Sequence, residues 1–170
     1  MIALVLGGQS SGKSDHALAM LANAPAPRAL LVTGRAEDPD FARRIMAHKQ
    51  GRDAALPVIE ARENLSEELT RLGAAQTSVL VDSLDFWLFS CIMSDTLQAQ
   101  ADALCEALRA FASQGPSVVV VSQEAGLCPV AGDGATRAFV RELGAVNRRV
   151  ATLADEAWFV AAGLPLRLKG

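Results

Sequence analysis

The sequence is poor in the residue types that build disulfide frameworks and zinc sites. Its three cysteines, Cys91, Cys105 and Cys128, are odd in number and widely spaced, and the chain has only two histidines. The chain contains no CxxC pair and no cysteine–histidine pattern, which argues against a disulfide framework and against a zinc site. We therefore expect free, buried thiols in a reducing compartment.

An excess of positive charge and long hydrophobic runs are also missing. Lysine and arginine total 16 against 19 aspartate and glutamate residues, for a formal net charge of −3. No basic groove with interleaved aromatic residues is visible, so we expect neither nucleic acid nor an anionic membrane as a partner. No segment approaches the ~20 apolar residues of a membrane helix, and the apolar residues 2–6 are too few for a signal peptide. We expect a cytoplasmic protein.

The sequence does contain an alternation of strand-like and helix-like segments. Apolar, β-rich runs predict strands at residues 2–6, 29–33, 57–60, 78–82, 117–122 and 157–160. Helical spacing predicts helices at residues 13–22, 38–51, 65–72, 97–112 and 136–154. This order predicts a single α/β domain over residues 1–170, with a mostly parallel sheet and helices on both faces. Gly163, between two short apolar runs, predicts a closing antiparallel hairpin.

A glycine-rich turn follows the first predicted strand. Its sequence, GGQSSGKS, fits G-x-x-x-x-G-K-[ST] and runs straight into the first predicted helix, which is the context of a phosphate-binding P-loop. The glycines let backbone N–H groups converge on phosphate oxygens, and the helix N-terminus adds partial positive charge. The predicted nucleotide loop consists of Gly7, Gly8, Gln9, Ser10, Ser11, Gly12, Lys13 and Ser14. In this loop Lys13 reaches the β- and γ-phosphates and Ser14 binds Mg²⁺.

Two acidic residues at predicted strand ends are candidates for binding the metal or the nucleotide. The run SVLVD ends at Asp82, and VVVVSQE places Glu124 at the tip of the next long strand. Ligands collect at this edge of open parallel sheets, and P-loop proteins use an acidic group there for the metal. We predict Asp82 as the metal ligand, and a solvated strand end is the alternative.

The two histidines have different surroundings. His16 follows the loop among alanines, which is typical of a packed helix residue. In FARRIMAHKQGRD, helical spacing brings Arg44, His48 and Arg52 onto or near one face. A solvated basic face would explain this pattern. The alternative is an imidazole held among cations, which bind further phosphates while the imidazole attacks an α-phosphate as a nucleophile.

These motifs together resemble one known family. The segments are GGQSSGKS, RRIMAHKQGR, VLVDSLDFWL, VVVVSQEAG and LGAVNRRVATLADEAWFVAAGLPLRLK, which cover nearly the whole chain in the family's order. The family is the bifunctional adenosylcobinamide kinase and adenosylcobinamide-phosphate guanylyltransferase of cobalamin biosynthesis. The resemblance implies a RecA-like P-loop fold and a homotrimer. It also implies phosphorylation of adenosylcobinamide by a nucleoside triphosphate, and then transfer of GMP from GTP through a GMP–histidine intermediate with release of pyrophosphate.

The resemblance also assigns roles to residues. His48 matches the guanylylated histidine, and the loop from Gly7 to Ser14, including the catalytic Lys13, matches the nucleotide loop. The stretches that contact nucleotide are matched by Thr33, Gly34, Arg35, Lys49, Gln50, Gly51 and Arg52. Glu60 and Asp82 match acidic positions that bind nucleotide or metal. The implied cofactors are ATP, GTP and Mg²⁺, and the implied partner is a corrinoid, adenosylcobinamide or its phosphate.

Some positions depart from the family pattern. Gln9 and Ser10 stand where many relatives have an arginine, and residues 123–130 read QEAGLCPV where N-E-V-G followed by G-I-V-P is expected. Four alternatives therefore stay open. They are a P-loop kinase of another metabolite, a RecA-like ATPase or binding module, a nucleotide-binding protein without turnover, and guanylyl transfer alone.

Overall fold

The computed structural model describes residues 1–34, 56–129 and 132–170. The strands in these ranges are β1 (Ile2–Gly7), β2 (Arg28–Val32), β3 (Val58–Glu60), β4 (Ser78–Asp82), β5 (Val118–Gln123), β6 (Glu156–Ala161) and β7 (Leu164–Lys169). The helices are α1 (Lys13–Ala22), α2 (Leu65–Ala74), α3 (Leu84–Met93), α4 (Leu97–Ser113) and α5 (Gly134–Leu153), with a short 3₁₀ turn at Ala125–Leu127.

The strands form one sheet in the order β3-β2-β4-β5-β1-β6-β7. All strands from β1 to β6 pair in parallel, and β7 runs antiparallel to β6. Because parallel strands point the same way, the carboxyl ends of β2, β4, β5 and β1 meet along one side, here called the carboxyl edge. The loop after β1 and the residues after β4 and β5 therefore lie at the same edge.

Successive residues of the central strands face opposite sides of the sheet. On β1, Leu4 belongs to a core cluster with side chains of α2, α3, α4 and α5, whereas Val5 packs in a second cluster with Ala17 and Leu21 of α1. Strands that are covered on both faces read as continuous apolar runs, because every side chain meets a helix. The prediction of a mostly parallel sheet with helices on both faces is confirmed.

The predicted C-terminal hairpin is also confirmed. The chain turns between β6 and β7 at Ala162 and Gly163, whose φ values are 51° and 79°. Across the hairpin, the guanidinium of Arg167 lies 5.5 Å from the ring centroid of Trp158. Such a contact between a cation and an aromatic face stabilises the strand pair.

Helix α3 is the element that the sequence pattern did not predict. Its sequence, LDFWLFSCIM, is apolar on nearly every side and shows no contrast between an apolar and a polar face. Leu84, Trp87 and Leu88 are fully buried, while Phe89 and Met93 are exposed. None of the helices in the described ranges combines the length and the apolar character needed to cross a membrane.

Helix α5 begins two residues earlier than its predicted start at residue 136. The Asp133 carboxylate accepts a hydrogen bond from the backbone N–H of Thr136 at 2.8 Å and caps the helix. This bond holds the pKa of Asp133 below its usual value. The helix predicted at residues 38–51 lies outside the described residues.

The three cysteines are free thiols, as expected. Cys91 and Cys105 are buried, whereas Cys128 is exposed, so the expectation of burial is wrong for Cys128. Burial raises the pKa of Cys91 to about 11, and the negative charge of Glu63 adds to the rise while a hydrogen bond with Thr96 opposes it. Cys91 is therefore protonated at neutral pH.

We predict that a thiol reagent at about pH 8 modifies Cys128 rapidly and leaves Cys91 unmodified in the folded protein. The thiolate is the reacting species, and a pKa of about 11 leaves about one Cys91 in a thousand ionised at that pH. Peptide mass spectrometry would measure both modifications. Protein unfolded in urea is the control, in which every cysteine should react, and equal rates for both residues in the folded protein would contradict the prediction.

Candidate active site

The loop between β1 and α1 is held tightly against the C-terminal hairpin. Gly12 has a φ of 90°, and a Cβ at this position would lie 3.1 Å from the Cα of Gly163. A Cβ on Gly7 would lie 2.7 Å from the carbonyl oxygen of Val160 and would also collide with the side chain of Ser11. Glycine is therefore required at both positions of the motif, for its backbone conformation at one and for close packing at the other.

Several groups of the loop are of the kinds that bind phosphate. A Cβ on Gly8 would meet no atom within 4 Å, so the backbone is open to a ligand there. The Ser11 hydroxyl is buried without a hydrogen-bond partner among the residues that the structure describes, which is uncommon for a polar group. The Lys13 ammonium, in a side chain that is 6% exposed, donates to the Gly8 carbonyl at 3.0 Å and so lies against the loop. These groups fit the triphosphate of a nucleotide.

Ser14 and Asp82 could hold a magnesium ion beside that triphosphate. Ser14 lies half-buried in the first turn of α1, and Asp82 lies buried at the end of β4. Strand β5 separates β4 from β1, which places the two strands about 10 Å apart. Magnesium commonly takes one or two protein carboxylates together with phosphate oxygens. Within the described ranges no three His, Cys, Asp or Glu side chains form a metal site, so such a site would depend on the nucleotide's own oxygens.

Thr33 joins the ends of β2 and β4. Its backbone N–H donates to the carbonyl of Asp82 at 3.1 Å. Its hydroxyl donates to the carbonyl of Ser83 at 2.5 Å and accepts from the N–H of Ser83 at 3.1 Å. The Ser83 hydroxyl donates in turn to Asp85. The structure thus uses the Thr33 hydroxyl to fix the backbone, and Thr33 and Gly34 border a pocket at the carboxyl edge.

Asn147 fixes the end of β5, a role that was not predicted from the sequence. Ser122 donates to the Asn147 side-chain oxygen at 2.6 Å, and the Asn147 amide donates to the Gln123 carbonyl at 3.0 Å. Gln123 lies opposite Gly7 in the register of β1 and β5, so this bond supports the strand next to the phosphate loop. The sequence feature that could have predicted this role is an amide side chain on the apolar face of an amphipathic helix, since a buried amide needs hydrogen-bond partners.

Glu124 and Glu60 were predicted to bind metal or nucleotide, and their carboxylates interact with other groups of the chain. Glu124 follows β5, but its carboxylate accepts from the N–H of Gly126 at 3.3 Å and caps the 3₁₀ turn. Glu60 ends β3, with its carboxylate 3.6 Å from the guanidinium of Arg62. The strands β2, β4 and β5 separate β3 from β1, so Glu60 lies about 19 Å along the sheet from the phosphate loop. Glu60 therefore does not belong to the phosphate site of that loop.

The two histidines lie in different parts of the chain. His16 packs against Trp158 with ring centroids 5.2 Å apart, so the prediction of a packed helix residue is confirmed. His48 lies outside the described residues, as do Arg35, Lys49, Gln50, Gly51 and Arg52. The described chain stops after Gly34, which follows β2, and resumes at Leu56 just before β3. The segment that contains His48 is therefore joined at both ends to the β2–β3 side of the sheet.

Comparison with known proteins identifies the family. The family described as "Cobinamide kinase / cobinamide phosphate guanyltransferase" matches residues 3–168. The chain belongs to this family. It is 32% identical over 170 residues to the bifunctional adenosylcobalamin biosynthesis protein CobP of Pseudomonas aeruginosa, with 98% of this chain and 96% of that protein covered. It is 29% identical over 182 residues to CobU of Salmonella typhimurium, with 99% of this chain and 100% of that protein covered.

A solved structure confirms the RecA-like fold expected of this cobinamide kinase family. The KaiC-like protein PH0186 of Pyrococcus horikoshii matches with a TM-score of 0.51 over 93% of this chain and 69% of that chain. At 14% identity this likeness concerns the fold alone. The family itself combines a kinase with a guanylyltransferase, so the prediction of a bifunctional transferase of cobalamin biosynthesis is confirmed.

We predict that Thr33→Val lowers the free energy of unfolding by about 1–3 kcal/mol, because the buried N–H of Ser83 loses its acceptor. Urea unfolding would measure this loss. The matched control is Thr152→Val, which removes an exposed hydroxyl that donates to the Arg148 carbonyl and should change stability by less than about 0.5 kcal/mol. Equal effects of the two substitutions would contradict a special role for Thr33.

Proposed function

We propose that the chain phosphorylates the side-arm hydroxyl of adenosylcobinamide and then transfers GMP from GTP to that phosphate. The observation that carries this proposal is the phosphate loop. Its lysine, its open backbone at Gly8 and the buried Ser11 hydroxyl, which has no hydrogen-bond partner among the described residues, suit a triphosphate. The chain also matches the family over residues 3–168. The choice of corrinoid is supported by the printed names of the relatives, which describe adenosylcobalamin biosynthesis.

In the proposed kinase step, the loop N–H groups and Lys13 bind the β- and γ-phosphates. The acceptor hydroxyl oxygen forms a bond to the γ-phosphorus while the bond from that phosphorus to the β–γ bridging oxygen breaks. The nucleoside diphosphate leaves, and the hydroxyl proton passes to solvent. Lys13 stabilises the negative charge that grows on the leaving oxygen. Bound at Ser14 and Asp82, Mg²⁺ would neutralise further phosphate charge.

In the proposed guanylyl transfer, a neutral ring nitrogen of His48 attacks the α-phosphorus of GTP. The α–β phosphoanhydride bond breaks and pyrophosphate leaves. An oxygen of the corrinoid phosphate then attacks the same phosphorus, the phosphorus–nitrogen bond breaks, and the histidine is restored. We assign nucleotide binding in this step to the residues that the family resemblance implies, which are Thr33, Gly34, Arg35, Lys49, Gln50, Gly51 and Arg52.

We further propose that the two steps use different parts of the carboxyl edge. The phosphate loop follows β1, whereas the segment with His48 begins after β2 and ends before β3. Glu60 ends β3 at about 19 Å along the sheet from the loop, so we assign Glu60 to the nucleotide of the second step. Two phosphate sites on one sheet are compatible with two successive reactions.

The proposal includes an assembly and a setting that the family resemblance implies. We infer a homotrimer in the cytoplasm that uses ATP or GTP as the phosphate donor and Mg²⁺ as the metal. Size-exclusion chromatography with light scattering would measure the assembly. Kinase assays with each triphosphate, with and without a chelator of Mg²⁺, would measure the donor and metal requirements.

We predict that His48→Ala abolishes guanylyl transfer and keeps kinase turnover, because the kinase step needs no covalent enzyme intermediate. With GTP labelled at the α-phosphate, the unmodified chain should acquire an acid-labile, base-stable label on the peptide that contains His48. The control is His16→Asn, which changes the other of the two histidines and should keep the label. Equal loss of both activities in a folded His48→Ala protein would argue against the nucleophile. No label on the unmodified chain would favour a kinase of another metabolite.

We predict that Lys13→Ala lowers kcat/KM of the kinase step by the equivalent of about 2–4 kcal/mol, because a positive charge that stabilises the transition state is lost. Steady-state kinetics would measure the change. Lys169→Ala is the control, since that ammonium donates to the carbonyls of Ala151 and Thr152 at the end of α5. If kcat/KM of the kinase step is unchanged in Lys13→Ala, the assignment of residues 7–14 as a phosphate-binding loop is wrong.

A further inference from the structure

Gln123 is a polar residue at the carboxyl edge to which neither proposed reaction assigns a role. It is the last residue of β5, it is half-buried, and it borders the same pocket as Thr33 and Gly34. Within the residues that the structure describes, its side-chain amide forms no hydrogen bond. A carboxamide has two N–H donors and an acceptor oxygen, so this group is equipped to bind a polar ligand.

The strand order places Gln123 between the phosphate loop and Asp82. On one side β5 pairs with β1, where Gln123 stands opposite Gly7 at the start of the loop. On the other side β5 pairs with β4, which ends at Asp82. Adjacent strands lie about 4.8 Å apart, so the end of β5 is about that far from each neighbour. A phosphate that extends from the loop toward Asp82 therefore passes the end of β5.

The Gln123 side chain projects from the face of the sheet that carries α1. Val121 of β5 and Leu80 of β4 pack in the core cluster that contains side chains of α1. Side chains alternate between the two faces of a strand, so Gln123 and Asp82, each two residues further along, point to this face. The intervening Ser122 points the other way and donates to a side chain of α5. The Gln123 amide is thus on the side where α1 presents the lysine and serine of its first turn.

The backbone around Gln123 is fixed on two sides. The Asn147 amide donates to the Gln123 carbonyl at 3.0 Å, and the N–H of Glu124 donates to the carbonyl of Gly7 at 3.1 Å. Neither bond uses the Gln123 side chain. The end of β5 is therefore held against the phosphate loop by groups that a substitution of this side chain leaves in place.

We propose that the Gln123 amide donates a hydrogen bond to the γ-phosphate of the kinase donor and so makes the loop prefer a triphosphate to a diphosphate. This inference rests on the proposed function. The C-terminal hairpin closes the loop on the β6 side, where Gly12 meets Gly163, whereas the pocket leaves room on the β5 side. A γ-phosphate bound by Lys13 then extends toward β5. The bond to Gln123 is lost when the γ-phosphoryl group is transferred, which favours release of the nucleoside diphosphate.

The test is Gln123→Ala, which removes the amide and keeps both backbone bonds. Isothermal titration calorimetry would measure Kd for ADP and for an ATP analogue with a non-hydrolysable β–γ imido bridge. We expect Kd for the analogue to rise about tenfold, as for the loss of one hydrogen bond to a charged group, while Kd for ADP stays within about twofold. Gln123→Glu keeps the size of the side chain but places a carboxylate beside the γ-phosphate, so it should weaken binding of the analogue by more than about tenfold.

The matched control is Gln98→Ala, which removes an exposed glutamine amide that donates to Asp102 within α4. It should bind both nucleotides as the unmodified chain does. If Gln123→Ala leaves both Kd values unchanged, or raises them by the same factor, the amide does not contact the γ-phosphate, and the inference is wrong while the proposed function stands. Nucleotide binding is measured without an acceptor. A chain that shows the expected contrast but does not phosphorylate adenosylcobinamide would therefore refute the proposed function alone, and a chain that binds neither nucleotide would refute both.

Discussion

The close approach of the phosphate loop to the C-terminal hairpin constrains the rest of the site. Gly7 and Gly12 leave no room for a Cβ beside Val160 and Gly163. The N–H of Gly163 also donates to the carbonyl of Ser11 at 2.8 Å. The last two strands of the chain therefore support a loop formed by its first residues. Because a phosphate would be bound by the backbone N–H groups of this loop, any change in the contact with the hairpin would shift those groups.

The carboxyl edge gains its rigidity from side chains that bond to backbone at the strand ends. A strand that ends leaves N–H and C=O groups that need partners, and buried groups of this kind are rarely left unpaired. Thr33 supplies both partners for Ser83, and Asn147 supplies one for Gln123. These bonds hold the ends of β2, β4 and β5 in place independently of the more exposed side chains around them. Rigid supports of this kind keep a binding site in its productive geometry.

The sequence predicted those parts of the site whose geometry is encoded in contiguous residues. Gly7, Gly12 and Lys13 belong to a single turn, so their spacing in the sequence was enough to predict the loop. The apolar run before Asp82 is a single strand, so the position of Asp82 at a strand end could also be predicted. Helix α3 could not be predicted in this way, because its side chains are apolar on nearly every face and give no helical periodicity of apolar and polar residues. The pocket at the carboxyl edge could not be predicted from the sequence either. Its wall joins Phe86 and Phe89 of α3 to Phe139 of α5, and only the folded sheet brings these helices together.

Positive charge accompanies both of the proposed phosphate sites. The N-terminus of helix α1 and the Lys13 ammonium would attract a triphosphate to the loop after β1. The sequence around His48 contains Arg43, Arg44, Lys49 and Arg52, and these cations would attract the phosphates of the second proposed reaction.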